Sequence, residues 1–239
     1  MEANHRRLTP GIDEREARRR GRRSYREYGR TITDFLWAID LDAATVARHS
    51  RVEGLHHVRA LQAEGRGGVV TLSHFGNWDM AANVALGIGI PLTTVMAPVG
   101  PPAITDLVVW ARRNNELEVF TPDSAARGLI RAVRRGRFVC LLCDIPGAGP
   151  TVTVQYCGGP VVFTAAPARL AKVTGAPLIP VDCRREGRGY TVEVHPPITA
   201  ERSEEDAAVM QRVAGALEPT VRRNPGQWYP FGDVYADAG

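Results

Sequence analysis

Apolar and polar positions alternate in blocks along this chain, and the blocks predict strands and helices in turn. Gly68-Val69-Val70-Thr71-Leu72-Ser73 is a β-branched run opened by glycines, which predicts a buried strand. Met80–Gly89 is apolar and alanine-rich and predicts a helix. Pro91–Met96 predicts the next strand, Ile104–Asn114 a helix with Trp110 on its apolar side, and Leu117–Phe120 a short strand. Ser124–Arg135 predicts a helix capped by Asp123 or Ser124. Phe138–Cys143 is apolar throughout and predicts a central strand. Val152–Cys157 alternates, Phe163–Val173 leads into a helix of small residues, and Glu201–Leu217 is amphipathic. Ala176–Cys183 and Tyr190–Val194 predict a hairpin across residues 184–189. Ahead of all these, residues 24–49 carry Tyr25, Tyr28, Ile32, Phe35, Leu36, Ile39 and Leu41 at helix-like spacing, and residues 54–65 predict a second helix. Strands alternating with helices predict an α/β fold. The expected architecture is a twisted, mostly parallel sheet flanked by helices on both faces, with one antiparallel excursion near residues 151–157 and 178–194.

A chain of 239 residues is long enough for one sizeable core. We expect a basic N-terminal segment, residues 1–23, ahead of a single domain over 24–239. The net charge is only +4, and Lys172 is the one lysine. That arginine bias fits a high-GC genome as well as any function. The arginines crowd into residues 1–30, centred on Arg18-Arg19-Arg20 and Arg22-Arg23. Such a segment reads as a solvated helical start or as a surface for an anionic partner, a lipid headgroup or an acidic carrier protein. A nucleic-acid arm has less support, because no nucleic-acid-binding fold follows. No signal-peptide pattern and no apolar run of transmembrane length is visible, so the expected location is cytoplasmic or peripheral on the inner face of the cell membrane. Cys140 and Cys143 have zinc-like spacing but fall on opposite faces of a strand, so the four cysteines are expected to be buried free thiols and no metal site is expected.

The candidate chemistry sits where the first core strand meets its helix. His74 stands at the carboxyl end of the strand, and Asp79 lies near the start of the next helix. Ligands bind at that edge of open α/β sheets. An Asp that accepts a hydrogen bond from one ring nitrogen leaves the other as a base. Such a pair can take a proton from a hydroxyl or amine while it attacks a thioester. Asp144, at the end of the central strand, puts a second carboxylate on the same edge. A His-x4-Asp spacing alone is weak, since it recurs by chance.

The match is longer than that spacing. Ser73-His74-Phe75-Gly76-Asn77-Trp78-Asp79 resembles the signature of the bacterial lipid A biosynthesis acyltransferase family. That family has a phosphatidylinositol mannoside acyltransferase branch and belongs to the His-x4-Asp/Glu glycerophospholipid acyltransferase superfamily. Arg23–Tyr28, Val52–His57 and Leu217–Trp228 resemble the family's flanking blocks, in the family's order. The resemblance implies a glycerophospholipid acyltransferase-like fold and transfer of a fatty acyl group from acyl-CoA or acyl carrier protein to a hydroxyl of a glycolipid or phospholipid-type acceptor. His74 would be the general base, Asp79 its orienting acid, and no cofactor or metal would be needed. Asn77, Trp78, Arg112, Arg113 and Asp144 would contact substrate, the arginines as holders of a phosphate, and the backbone amides of Gly76 or Asn77 would stabilise the oxyanion. In the mannoside branch a Glu often precedes the Pro at the position of Pro160; this chain has Gly159. Family members usually carry more chain ahead of the arginine-rich segment, often with an anchor, so attachment here is expected to be peripheral.

Three other readings remain from the residues. One is a soluble acyltransferase tailoring a secondary metabolite at a hydroxyl or amine. A second is a metal-dependent hydrolase using His74, Asp79 and Asp144. The third is a non-catalytic protein that docks on a membrane or a carrier protein through its basic start.

Overall fold

The computed structural model describes residues 1–39, 41–147, 149–187 and 189–236. Ala148, in the loop after Asp144, and Arg188, in the predicted hairpin turn, lie outside the described residues. The elements run α1 (Glu2–Leu8), α2 (Glu14–Ala38), α3 (Ala43–Arg48), β1 (Ser50–Glu53), α4 (Leu55–Ala63), β2 (Gly68–Leu72) and α5 (Trp78–Gly87). Then come β3 (Leu92–Val95), α6 (Pro102–Asn114), β4 (Glu118–Phe120), α7 (Pro122–Arg134) and β5 (Phe138–Leu142). The chain continues through β6 (Thr151–Tyr156), β7 (Gly159–Thr164), α8 (Ala166–Thr174), β8 (Leu178–Glu186), β9 (Gly189–Val194) and α9 (Asp206–Arg223), with a single 3-10 turn at Pro225–Gln227.

Seven strands form one sheet in the order β1-β9-β8-β2-β5-β3-β4, and β6 and β7 pair separately as an antiparallel hairpin. All neighbours in the large sheet are parallel except β8 and β9. The strand β2 is central and buried at every position, as its β-branched run requires. Its side chains divide by parity. Val69 joins Leu141, Leu178, Ala132, Leu170 and Val213 in one hydrophobic cluster. Val70 and Leu72 join Ile179, Val58, Met80 and Val84 in another. That alternation is the period-two geometry of a strand.

Two strands were not expected. The strand β1 has one apolar residue, Val52, and is recognisable only through its parallel pairing with β9. The strand β7 opens on Gly159-Pro160, which masks it as a loop; its start lies against the last turn of the β6 hairpin, where Pro160 pairs with Gln155. The arginine-rich start is not a loose arm. The helix α2 crosses the expected boundary at residue 23 without a break, and Asp13 caps it by accepting from the Glu16 N–H. Arg18 pairs with Glu14 and Glu2, Arg19 and Arg20 with Glu16, and Arg30 with Glu27, so much of the positive charge is balanced locally. The helix α1 is tied to the far end of the chain: the Asn4 amide donates to the carbonyls of Pro230 and Gly232, and Arg222 donates to the Leu8 carbonyl.

Candidate active site

The turn from β2 to α5 carries His74, and four other segments converge on it. The β2–β5 register pairs Leu72 with Leu142. Two residues further along each strand, that register sets His74 beside Asp144. The Asp144 carboxylate accepts from the His74 backbone N–H at 2.8 Å and from the ring Nδ1 at 2.8 Å, both on Oδ1. Its other oxygen accepts the Trp228 indole N–H at 2.9 Å. Asp144 is buried. Burial alone pushes its carboxyl up, but the charge of His74 and the three donated hydrogen bonds outweigh that and hold it below the ordinary carboxylate range. An ionised carboxylate only accepts, so Nδ1 carries the proton of this hydrogen bond. In the neutral ring Nε2 then holds the lone pair, and it has no protein partner among the described residues. The side chain is 22% exposed.

Asp79 does not hold His74. It sits in the first turn of α5 and forms a two-pronged ion pair with Arg112 of α6, Nε to Oδ1 at 2.8 Å and Nη2 to Oδ2 at 3.2 Å. The expected His74–Asp79 couple is thus replaced by His74–Asp144, because the helix turns Asp79 toward α6 while the neighbouring strand delivers Asp144. The same pair engages Arg112, whose charge Asp79 balances. Arg113 is exposed and, among the described residues, reaches the Val119 carbonyl at 3.4 Å.

The expected oxyanion donors are also engaged elsewhere. The Gly76 N–H donates to the Gln227 carbonyl at 2.7 Å and the Asn77 N–H to the Cys183 carbonyl at 3.0 Å. Gly76 adopts a φ of +60°, and a Cβ there would stand 1.7 Å from the Cys183 oxygen, so only glycine fits. Asn77 is fully buried. Its side-chain oxygen caps α5 by accepting from the Met80 N–H at 3.0 Å, and its amide donates to the Tyr190 hydroxyl at 3.2 Å. It therefore shapes the turn and does not face a substrate. Trp78 is half-buried and sets its ring edgewise to the His74 ring, centroids 5.3 Å apart.

Several contributors were not singled out from sequence. Trp228 and Gln227 close the site from the tail: Gln227 pairs its side-chain amide with the Arg185 backbone, and the Tyr229 N–H donates to the His74 carbonyl at 2.9 Å. The Pro-x-Gln-Trp run was the available signal. Ser73 shares a hydrogen bond of 2.8 Å with the buried Tyr156 hydroxyl. Thr31 of α2 donates to the Gly76 carbonyl at 3.1 Å. Gly54, in the Val52–His57 block, has φ +69° and would place a Cβ 2.0 Å from the Val194 carbonyl.

Among the described residues His74, Asp79 and Asp144 do not converge as a ligand set. The acidic and imidazole groups that do are Asp182, Glu193 and His195, on β8, β9 and the residue after β9. His195 Nε2 lies 2.8 Å from Asp182 Oδ2 and Arg184 donates to Glu193 at 2.8 Å, while the other Asp182 oxygen is buried with no hydrogen-bond partner among the described residues. All four cysteines are free thiols, and burial pushes Cys140 and Cys183 up to about 12, far from a reactive thiolate.

The profile of the family described as bacterial lipid A biosynthesis acyltransferase matches residues 4–232. A phosphatidylinositol mannoside acyltransferase of Mycobacterium tuberculosis (strain ATCC 25618 / H37Rv) is 31% identical over 182 residues, 74% of this chain and 57% of the relative. Its counterpart in Mycolicibacterium smegmatis is 28% identical over 212 residues, 87% of this chain and 69% of the relative. A lipid A biosynthesis lauroyltransferase of Escherichia coli K12 is 28% identical over 228 residues, 92% of this chain and 72% of the relative. The match thus spans little more than half the length of the M. tuberculosis relative.

Proposed function

Because this chain belongs to the bacterial lipid A biosynthesis acyltransferase family, we propose that it moves a fatty acyl group from a thioester to a hydroxyl of a glycolipid or phospholipid-type acceptor. The observation that carries this is the His74 ring, held at Nδ1 by the buried Asp144, with Nε2 left without a protein partner among the described residues. In this reading Nε2 takes the acceptor's hydroxyl proton as the oxygen attacks the thioester carbonyl. Asp144 stabilises the imidazolium that forms. Collapse of the tetrahedral intermediate breaks the carbon–sulfur bond, and the thiolate leaves with the proton returned from Nε2. The donor is acyl-CoA or acyl carrier protein, and the thioester is the one co-substrate the scheme uses. No acyl-enzyme is invoked, since no serine or cysteine is hydrogen-bonded to the His74 ring among the described residues.

The oxyanion needs donors that the turn has not already committed. Asn77 caps only the N–H of Met80, so the amides of Trp78 and Asp79 in the first turn of α5 are the available pair, at the positive end of the helix dipole. Asp79 and Arg112 act as a brace that fixes α5 against α6. The acceptor class is supported by the names of the relatives, phosphatidylinositol mannoside and lipid A. The sheet, with helices packed on the Val69 side and on the Val70 side, would hold these parts rigid.

The test is release of free thiol from acyl-CoA in the presence of a soluble glycoside, comparing wild type with His74→Gln. General-base assistance contributes about 10²–10⁴ in rate, and a folded His74→Gln protein should lose that much. Turnover close to wild type would contradict the reading.

A further inference from the structure

Strand alternation gathers a set of ligating side chains on the face of the sheet that packs against α9. Val181, Cys183, Val192 and Val194 turn into the apolar cluster they share with Val58 of α4 and Val84 of α5. The period of two then sends Asp182 of β8 and Glu193 of β9 to the opposite face, with His195 two residues further along. The antiparallel register sets Asp182 directly opposite Glu193. The His195 N–H donates to the Pro180 carbonyl at 2.9 Å, which carries the ladder past the end of β9 and keeps the third side chain beside the other two. One oxygen from each acid and one ring nitrogen of His195 all lie within 4.8 Å of one another.

The surrounding groups leave this set unbalanced. Asp182 is 2% exposed, and its Oδ2 lies 2.8 Å from His195 Nε2. Its Oδ1 is buried with no hydrogen-bond partner among the described residues. The Thr220 hydroxyl of α9 is near enough to favour the charged carboxylate but makes no hydrogen bond to that oxygen. Burial outweighs Thr220 and His195 and raises the Asp182 carboxyl above its ordinary range. A buried carboxylate oxygen without a partner is costly. Arg184 does not relieve it: its guanidinium spreads over Glu53, Glu186 and Glu193 and makes no ion pair with Asp182 among the described residues. Glu193 and His195 line a cavity of about 580 Å³ together with Gly215 and Ala216 of α9. A Cβ at Gly215 would meet nothing within 4 Å, so the helix leaves space there. The two arginines at its rim are bonded elsewhere, Arg212 to Glu204 and the exposed Arg223 to the Thr220 hydroxyl.

We propose that Asp182, Glu193 and His195 bind a divalent transition-metal ion of the zinc class. One imidazole and two carboxylates are a donor set such ions accept, at roughly 2.0–2.2 Å from each donor atom. Three protein ligands leave a further position, and the cavity between β9 and α9 gives water room to fill it. A proton shared by Asp182 and His195 would serve those two alone, whereas a dication also engages Glu193 and compensates the buried carboxylate. None of the three residues takes part in the acyl-transfer scheme, so the ion's part is to brace the sheet. Asp182 precedes Cys183, whose carbonyl accepts the Asn77 N–H in the turn after His74. An ion that ties β8 to β9 at this point steadies the strand on which that turn rests.

The experiment is calorimetric titration of the full chain with Zn²⁺ near neutral pH, after treatment with EDTA and removal of the chelator. Wild type is compared with His195→Gln, with Glu193→Gln and with a His56→Gln/His57→Gln variant, each checked by circular dichroism. His56 is exposed and stacks on His57 with ring centroids 4.0 Å apart, so that pair is the control for a zinc ion held adventitiously on the surface. Wild type should bind one equivalent. Each ligand variant should bind roughly tenfold or more weakly, and the His56→Gln/His57→Gln variant should bind as wild type does. With free Zn²⁺ at a hundred times the wild-type Kd, the melting temperature of wild type should rise by roughly 5–10 °C, and that of His195→Gln by much less. Two separate ligand variants keep the test decisive if one of them does not fold. Absence of binding by wild type overturns the proposal and leaves a proton between Asp182 and His195. Binding unchanged in both ligand variants, or lost in the His56→Gln/His57→Gln variant, overturns it as well, since the ion is then adventitious only.

Discussion

Trp228 donates its indole N–H to Asp144 at 2.9 Å, so a residue 84 positions further along the chain completes the shell of the carboxylate that holds His74. Replacing it by Trp228→Phe keeps an aromatic ring in the core and leaves Asp144 Oδ2 buried without a donor. Hydrogen bonds to charged groups are worth about 1.5–3 kcal/mol. Chemical denaturation should show a loss of that order, and thiol release should fall roughly tenfold as Asp144 loses its anchor. Unchanged stability would mean that the indole contact contributes nothing net.

The Asp79–Arg112 pair leads to a different expectation. Its side chains are 15–16% exposed, so breaking it costs less than a fully buried pair, about 1–2 kcal/mol. Asp79→Asn should lower stability by that amount and slow turnover less than Asp144→Asn does. A double-mutant cycle with Arg112→Met measures the coupling. A cycle with no coupling energy would remove the brace from the account.

Gly76→Ala tests the turn itself. Its φ of +60° and a Cβ only 1.7 Å from the Cys183 carbonyl leave no room for a methyl group. Strain of this kind belongs among the large effects, above about 4 kcal/mol. The variant should fail to give soluble folded protein, read by expression and circular dichroism. A folded, active Gly76→Ala protein would show that the turn is wrongly described.

Much of this site was legible before its geometry was known. The strand ahead of His74, the helix after it and the carboxylate at residue 144 all follow from apolar runs and their ends. What the linear reading could not supply was which acid meets the imidazole. Asp79 is five positions from His74 and Asp144 is seventy, yet strand pairing sets the more distant one alongside. Side-chain direction in the first turn of α5 sends Asp79 the other way. The amides of Gly76 and Asn77 failed as oxyanion donors for a similar reason: their acceptors, Gln227 and Cys183, come from segments whose proximity no local pattern reveals. The helical start was legible, but its ion pairing was not drawn from it, although Glu14, Glu16, Arg18 and Arg20 stand at the four-residue spacing of ion pairs on a helix.

His5 provides a pH signature. It is buried between α1 and α2, its Nε2 3.1 Å from the Ser24 hydroxyl and its Nδ1 without a partner. Burial, then the charges of Arg20 and the N-terminus, lower its pKa from 6.5 to about 4 against a smaller opposing effect of Glu16. The folded state therefore resists protonation that the unfolded chain accepts. The stability contribution is full above pH 6.5 and is lost as pH falls from there toward 4. The carboxylates of Asp144, Glu118 and Asp206 are also held below their ordinary range, so the comparison with His5→Gln is what isolates the histidine. Melting temperature should fall over pH 6.5–4 by roughly a few degrees more in wild type than in His5→Gln. Identical slopes would show that His5 is not the group responsible.

The central claim is that His74 works through Asp144, and one measurement bears on it most directly. Steady-state thiol release from acyl-CoA, with a soluble glycoside as acceptor, is compared for wild type, Asp144→Asn and Asp79→Asn, each first shown to be folded. Asp144→Asn keeps the shape but removes the charge that fixes the Nδ1–H tautomer and stabilises the imidazolium. The account predicts a fall of about 10²–10⁴ in kcat for Asp144→Asn, with a distinctly smaller fall for Asp79→Asn. Turnover near wild type in Asp144→Asn, with the large loss appearing in Asp79→Asn instead, would contradict it.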